Sequence, residues 1–148
     1  MFGWWRKPQN GTASTGVVWQ LRVERERGAV GKLNDRLEVT LRPSVPEAAV
    51  RALQVALDEL LTNVIMHARQ ASGPIELRLA RSARSLDVEI SYLADEFDPT
   101  RIKDPPRATT IEDSKIGGLG VPLVRALMDE FSYEHADGLN IVRLRKKC

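Results

Sequence analysis

The chain of 148 residues is the size of one ordinary domain and is long enough to bury a hydrophobic core. Its 22 Lys and Arg against 20 Asp and Glu give a net charge of +2, which is too small to indicate a nucleic acid or a membrane surface as partner. The single cysteine, Cys148, excludes a disulfide framework and a cysteine-based metal site within one chain, and such usage is typical of a reducing cytoplasm.

The first segment, residues 1–16, is rich in Gly, Thr, Ser and Asn, which predicts a flexible tail and a single domain over residues 17–148. Its sequence, MFGWWRKPQNGTASTG, lacks the apolar stretch of a signal peptide. The apolar runs elsewhere are shorter than the roughly 18 to 20 residues that a membrane span needs. We therefore expect a cytoplasmic protein without a membrane span.

One strand and two helices are predicted in the first half of the chain. The alternation in VVWQLRVERE predicts an edge or outer strand. Apolar residues at helical spacing then predict an amphipathic helix from about Val30 to Leu41. The prolines of RPSVPE break this helix, and Pro46 suits the first turn of a second helix that runs to about Ala68.

A hairpin and a long loop follow. The runs IELRLARS and LDVEISYL are rich in strand-forming residues and predict two antiparallel strands. Residues 94–116 show no clear period, and so long a loop inside a compact chain is typical of a functional lid or a disordered segment. A glycine-rich turn then begins a helix whose predicted apolar face contains Leu123, Val124 and Leu127.

The last predicted elements are two strands, FSYEHA and LNIVRLRK, joined by the hairpin-turn signal DG. The basic end, RLRKK, is interpreted as solvating an edge strand and guarding it against pairing. The full order of elements predicts an α+β fold, a two-layer sandwich in which helices cover one face of a mostly antiparallel mixed sheet.

The second helix carries polar residues at a regular spacing in LDELLTNVIMHA: Glu59, Asn63 and His67. A step of four residues drifts only about 40° around the helix axis, so the three side chains share one face. Glu59 can orient or deprotonate a hydroxyl, Asn63 can offer an oxygen to Mg²⁺, and His67 can reach a phosphate. The same pattern also fits the solvent-facing stripe of an amphipathic helix.

A glycine-rich turn precedes the third helix and consists of Gly117, Gly118, Leu119 and Gly120. Glycines allow backbone N–H groups to approach an anion, and a helix N-terminus adds partial positive charge, so the turn is a candidate phosphate site. The spacing is not a dinucleotide fingerprint, because Leu123 stands where its third glycine would be. An ordinary glycine-rich turn is the alternative.

Three segments, in this order, resemble motifs of one known family. LDELLTNVIMHA resembles its N box, and EFDP resembles the tail of its first glycine box. GGLGVPLVRALMDEFSYEHADGLNIVRLRK resembles its second glycine box with the closing hairpin. From about residue 28 to 147 the chain is therefore similar to the anti-sigma factor serine/threonine kinases of bacterial partner-switching systems, which are GHKL ATPases with the Bergerat, histidine-kinase-like ATPase fold.

The resemblance implies an ATP and Mg²⁺ site in which Glu59 is the catalytic carboxylate and Asn63 is the Mg²⁺ ligand, under a lid spanning about residues 100–116. The residues that it implies in nucleotide binding are Asn63, His67, Tyr92, Gly117, Gly118, Leu119 and Gly120. The implied partners are an anti-sigma-factor antagonist as the phosphorylated protein, a sigma factor, and a second copy of the chain, with no direct contact to nucleic acid.

The sequence departs from the family at the adenine subsite. A D-x-G motif precedes the EFDP-like tail in the family, and its aspartate binds the adenine amino group, whereas this chain has Tyr92 and Ala94 there. A phenol is bulkier than a carboxylate and un-ionised at neutral pH, so Tyr92 is predicted to fill part of the pocket. Ala94 lacks the freedom of glycine at positive φ, and Asp95 would lie on the other face of a continuing strand.

Two functions follow from these observations. The motif set favours an ATP-dependent serine kinase of a partner-switching system. Tyr92 and Ala94 favour a nucleotide-independent regulator that binds partners through the same fold with a degenerate ATP site.

Overall fold

The computed structural model describes residues 17–42, 44–101 and 120–148. The strands are β1 (Val17–Val23), β2 (Ser72–Arg81), β3 (Ser85–Leu93), β4 (Glu130–Ala136) and β5 (Leu139–Lys147). The helices are α1 (Arg27–Leu41), α2 (Glu47–His67), α3 (Gly120–Leu127) and a 3₁₀ turn at Pro99–Arg101. The predicted tail, most of the predicted lid, and Gly117, Gly118 and Leu119 lie outside the described residues.

The five described strands form one sheet in the order β1-β2-β3-β5-β4, with antiparallel pairing at every junction. This arrangement confirms the predicted α+β fold and places β1 at an edge, as expected. The β4–β5 turn has positive φ at Asp137 (52°) and Gly138 (80°), the backbone that a tight hairpin turn with the matching twist requires.

The core lies between the helices and one face of the sheet, which we call the inner face. Leu53, Leu57 and Leu61 of α2 are no more than 1% exposed, and alternate residues of β2 and β3 meet them from the sheet. Each fully buried leucine contributes about 1.5–3 kcal/mol through the hydrophobic effect. The apolar residues that alternate in the strands and those that recur at helical spacing are therefore buried in one core.

Two helix boundaries differ slightly from the predictions. α1 begins at Arg27 rather than near Val30, because Arg27, Gly28 and Ala29 include no large apolar side chain that would mark the start of the helical pattern. α2 begins at Glu47 with Pro46 as its N-cap, and it ends at His67. The predicted polar face therefore occupies the last turns of α2.

The interpretation of RLRKK as guarding an edge strand is wrong, because β5 lies inside the sheet and β4 forms the edge. On the outer face, Arg143 is nearly buried and forms ion pairs with Glu89 of β3 (3.3 Å) and Glu134 of β4 (3.2 Å). Arg145 pairs with Asp87 at 2.6 Å. Arg143 and Arg145 therefore link β5 to its neighbours β3 and β4 through ion pairs.

The prediction for α3 is correct for Val124, which is fully buried, and wrong for Leu123, which is 42% exposed. Val121 and Met128 are buried in its place, one on each side of Val124. Among the described residues, no helix is both long enough and apolar enough to cross a membrane.

Candidate functional site

Glu59, Asn63 and His67 lie along one stripe at the border of the buried face of α2. The leucines beside them, among them Leu57 and Leu61, are fully buried and fix how the helix is rotated. Glu59 and Asn63 are half-buried, whereas His67, the last residue of the helix, is exposed. The stripe therefore differs from a fully solvated helix face, since two of its polar groups lie partly in the protein.

Burial raises the pKa of Glu59, and the neighbouring carboxylate of Asp58 raises it further. Both effects disfavour the charged form of the side chain. A carboxylate whose pKa is raised toward neutrality binds a proton more readily, which suits a general base. The environment of Glu59 therefore makes its carboxylate a stronger base than that of a solvated glutamate.

An open cavity of about 700 Å³ lies at the C-terminal end of α2. It is lined by Met66, His67, Ala68, Arg69, Asp95, Glu96 and Phe97. This volume falls in the range of small-molecule sites. The cavity brings the end of α2 together with the chain that leaves β3, while Glu59 and Asn63 lie farther back along the helix.

Tyr92 lies on the inner face of β3 and is 4% exposed. Burial raises the pKa of its phenol to about 12, with a further contribution from Tyr133, so the group is neutral at physiological pH. Its ring belongs to the hydrophobic core. The side chain therefore fills space where the family resemblance implies a smaller carboxylate.

The backbone after β3 also differs from the expectation. β3 ends at Leu93, so the strand does not continue to Asp95, which is exposed and lines the cavity. The positive φ values at described non-glycine residues occur at Gln70 and Asp137. Ala94 is thus accommodated without the backbone conformation that glycine would allow.

Sequence reasoning missed a polar cluster that holds this segment. Asn140 of β5 is fully buried, and its side chain donates to the carbonyl oxygens of Ala94 and Asp95, both at 3.1 Å. Its oxygen accepts from the N–H of Phe97 (3.2 Å) and is hydrogen-bonded to the hydroxyl of Tyr133. The signal in the sequence was a lone asparagine inside the apolar run LNIV.

The far side of the site is α3, which packs against α2 and begins at Gly120. Arg125 of α3 donates to the carbonyl oxygen of Thr100 at 2.5 Å. Asp98 in turn accepts from the N–H of Thr100 at 2.8 Å. The 3₁₀ turn at Pro99–Arg101 is therefore linked to α3, and a phosphate site at the glycine-rich turn stays a prediction.

The donor set of α2 is compatible with Mg²⁺. Within the described residues there is no cluster of three or more His, Cys, Asp or Glu side chains that would form a dedicated metal cage. Mg²⁺ is commonly held by one or two protein oxygens together with water and substrate phosphates. The half-buried carboxamide of Asn63, with Glu59 one turn away, fits that mode.

Comparison with known proteins gives sequence relatives of this architecture. A model of the histidine kinase-like ATPase domain matches residues 23–146. Serine/threonine-protein kinase BtrW of Bordetella bronchiseptica is 34% identical over 94 residues, which are 62% of this chain and 66% of BtrW, just under two thirds of that protein. Serine-protein kinase RsbW of Listeria monocytogenes is 27% identical over 132 residues, 85% of this chain and 83% of RsbW.

Solved structures share the fold at low identity. The RsbU and RsbW domains of Rv1364c from Mycobacterium tuberculosis give a TM-score of 0.61 at 12% identity, covering 87% of this chain and 32% of that chain. The histidine kinase domain of a blue-light activated kinase from Erythrobacter litoralis gives 0.51 at 20% identity, covering 80% and 58%. These likenesses show the fold, and the family match over residues 23–146 establishes that the chain belongs to the histidine kinase-like ATPase domain family.

Proposed function

We propose that this protein is an ATP- and Mg²⁺-dependent serine kinase that phosphorylates an anti-sigma-factor antagonist in a bacterial partner-switching system. The observation that carries the proposal is the half-buried Glu59–Asn63 stripe of α2, where the pKa of Glu59 is raised. Relatives named as serine kinases support the same reading.

Bound ATP with Mg²⁺ would supply the phosphoryl group and neutralise its charge. Asn63 would give its carboxamide oxygen to the metal ion, and Glu59 would orient the serine hydroxyl. Glu59 would accept the hydroxyl proton as the serine oxygen bonds to the γ-phosphorus and the bond to the β-phosphate oxygen breaks. His67 at the cavity wall would contact a phosphate oxygen.

The start of α3 would complete the phosphate site. In the proposal, Gly117, Gly118, Leu119 and Gly120 bring backbone N–H groups to the phosphates, aided by the partial positive charge of the helix N-terminus. Positioning and charge neutralisation supply most of the rate in such transfers. Tyr92 would lie at the base of the nucleotide.

The partners belong to the proposal as well. The phosphorylated protein would be an anti-sigma-factor antagonist, and a sigma factor would be held or released according to its phosphorylation state. A homodimer in the cytoplasm is part of the same hypothesis. The names of the relatives support the phosphorylation of a protein serine, whereas the partners and the homodimer follow from the resemblance of the three motif segments.

Calorimetric titration of the purified protein with ATP and Mg²⁺ tests the proposal. The wild-type protein should bind, and Asn63→Ala should abolish detectable binding because it removes the metal ligand. Thr62→Ala is the matched control, since Thr62 is the exposed neighbour on another side of the helix. Absence of wild-type binding at millimolar nucleotide would contradict the kinase and leave the nucleotide-independent regulator, which the buried ring of Tyr92 would then explain.

A further inference from the structure

Asn140 is a polar residue in an apolar layer. It lies on the inner face of β5, paired with Tyr92 of β3 and His135 of β4, and is 0% exposed. Val142 and Leu144, the next residues of β5 on this face, are apolar and buried. Burying a carboxamide costs free energy unless its hydrogen bonds are made, so its partners indicate what the residue does there.

The carboxamide of Asn140 is fully satisfied. It has two N–H donors and two acceptor lone pairs. The donors bind the carbonyl oxygens of Ala94 and Asp95, and the oxygen takes the N–H of Phe97 and the hydroxyl of Tyr133. The Tyr133 hydroxyl also accepts from the N–H of Phe97 at 3.2 Å. Three of the four partners of Asn140 are therefore backbone groups of one short segment.

That segment, Ala94–Phe97, forms one side of the cavity, since Asp95, Glu96 and Phe97 line it. It is tied further by the N–H of Ala94 to the carbonyl of Gly138 (3.2 Å) and by the N–H of Asp95 to the carbonyl of Arg69 (2.9 Å). The segment contains no glycine that would set its path by a special backbone conformation. Its course is instead set by hydrogen bonds to the side chains of Tyr133 and Asn140, together with the backbone carbonyls of Gly138 and Arg69.

We propose that Asn140 and Tyr133 are positioning residues for nucleotide binding. They hold Ala94–Phe97 in place as the wall of the part of the site that would receive the nucleotide base, which we call the base end. This inference rests on the proposed function and adds two residues of the β4–β5 hairpin, within the third motif segment, as determinants of nucleotide affinity. The hydrogen bonds of the Asn140 carboxamide fix the backbone path of this segment, which is the role that the resemblance implies for the glycine of the D-x-G motif. The residue acts through the segment and not on the transferred phosphate, so it affects KM for ATP and leaves kcat almost unchanged.

Two variants separate positioning from general stability. Tyr133→Phe removes one hydroxyl from a half-buried ring and is expected to keep the fold. Asn140→Asp keeps the shape and the acceptors but loses both N–H donors to Ala94 and Asp95. Ser132→Ala is the control, because Ser132 is exposed and its side chain points to the opposite face of β4.

The measurements are KM and kcat for ATP hydrolysis and amide hydrogen exchange along the chain. Tyr133→Phe should raise KM about three- to tenfold, as expected for one lost hydrogen bond, with kcat within about twofold of wild type. Asn140→Asp should raise KM further. Exchange should become faster at Asp95–Phe97 and stay unchanged in the centre of β5.

Each outcome decides the inference. Unchanged KM in a folded variant, or a fall in kcat without a rise in KM, would overturn it and leave Asn140 a structural residue. Unchanged exchange at Asp95–Phe97 would overturn it as well. If calorimetry detects no ATP binding by the wild-type protein, the proposed function falls together with the inference, whereas equal KM values for wild type and variants remove the inference alone.

Discussion

The two ends of the candidate site are built in different ways. The phosphate end, Glu59, Asn63 and His67, is one stripe of a single helix whose side chains are half-buried or exposed. The base end, Tyr92–Phe97, begins in the core and is held by a residue of β5 that is far away in sequence. The base end is therefore filled at Tyr92, whereas its residues Asp95–Phe97 line the open cavity together with His67 of the phosphate end.

The two ends therefore have different proposed roles: the phosphate end carries out phosphoryl transfer, and the base end binds the nucleotide. The phosphate end keeps the residue types that the proposed transfer needs, and helix spacing is enough to align them. At the proposed base end, a buried phenol stands where the family resemblance implies a carboxylate, and Asn140 of β5 holds the segment that follows. Turnover and nucleotide affinity should therefore respond to different residues.

Substitution of the proposed base should give the largest effect. Glu59→Gln keeps the size of the side chain but cannot accept the proton, so kcat for ATP turnover should fall by about 10²- to 10⁴-fold. KM should change little, because the base end is intact. Steady-state kinetics beside the Thr62→Ala control measure both constants, and a kcat within threefold of wild type would refute this role for Glu59.

Substituting the residues that the family has at the base end should raise the affinity for ATP. Tyr92→Asp with Ala94→Gly should tighten ATP binding by roughly tenfold, because a carboxylate accepts a hydrogen bond from adenine and leaves room for it. The apo protein should lose about 3 kcal/mol of unfolding free energy, since a buried aromatic ring is removed. Calorimetry and thermal unfolding check the two effects.

Tyr92→Phe is the control for that variant, because it removes the hydroxyl and keeps the ring. Its affinity should stay near that of wild type. Unchanged or weaker binding by the double variant would show that residues 92 and 94 are not at the base of the nucleotide.

The pH dependence of turnover should report on Glu59. The proposed base is active when deprotonated, and burial with Asp58 raises its pKa from 4.5. Activity should therefore be lost, as pH falls, at a higher pH than for a solvated glutamate. Asp58→Asn removes the contribution of the Asp58 charge to the pKa of Glu59 and keeps the contribution of burial. The acidic limb of the kcat profile should therefore move to lower pH. If the acidic limb does not move, Asp58 does not raise the pKa of Glu59.

The smallest effect should appear in stability. A glutamate with a raised folded-state pKa binds its proton more tightly when folded, so its stabilising contribution is present at low pH and is lost as pH rises through the folded pKa. Glu59→Gln should therefore stabilise the protein at neutral pH by no more than about 0.5 kcal/mol, because solvent screens a half-exposed side chain. The gain should vanish near pH 4 in urea unfolding, and a loss at neutral pH would reverse the argument.

Much of the fold was predictable because its signals are local. Helical period marked α1 and α2, alternation marked the strands, and the pair Asp137–Gly138 marked the last turn. The stripe of the phosphate end followed from spacing along one helix, which is independent of the rest of the structure.

The errors concern contacts between distant parts of the chain. Strand order placed β5 inside the sheet, so Arg143 became a nearly buried partner of two glutamates where solvent was expected. The function of Asn140 depends on a segment 46 residues earlier and could not be read from its neighbours. Exposure of Leu123 was missed because helical period alone did not fix which side of α3 packs.

The position of β5 also constrains the order in which the molecule can assemble. It is the last described strand in the chain, yet it lies between β3 and β4. During synthesis, β1, β2 and β3 can pair in sequence while the open edge of β3 has no partner. That strand carries Leu86, Val88 and Ile90 toward the core, so an incomplete chain exposes an apolar edge of the kind that recruits other chains. Emergence of the β4–β5 hairpin is therefore the step at which β3 gains the partner that covers this edge.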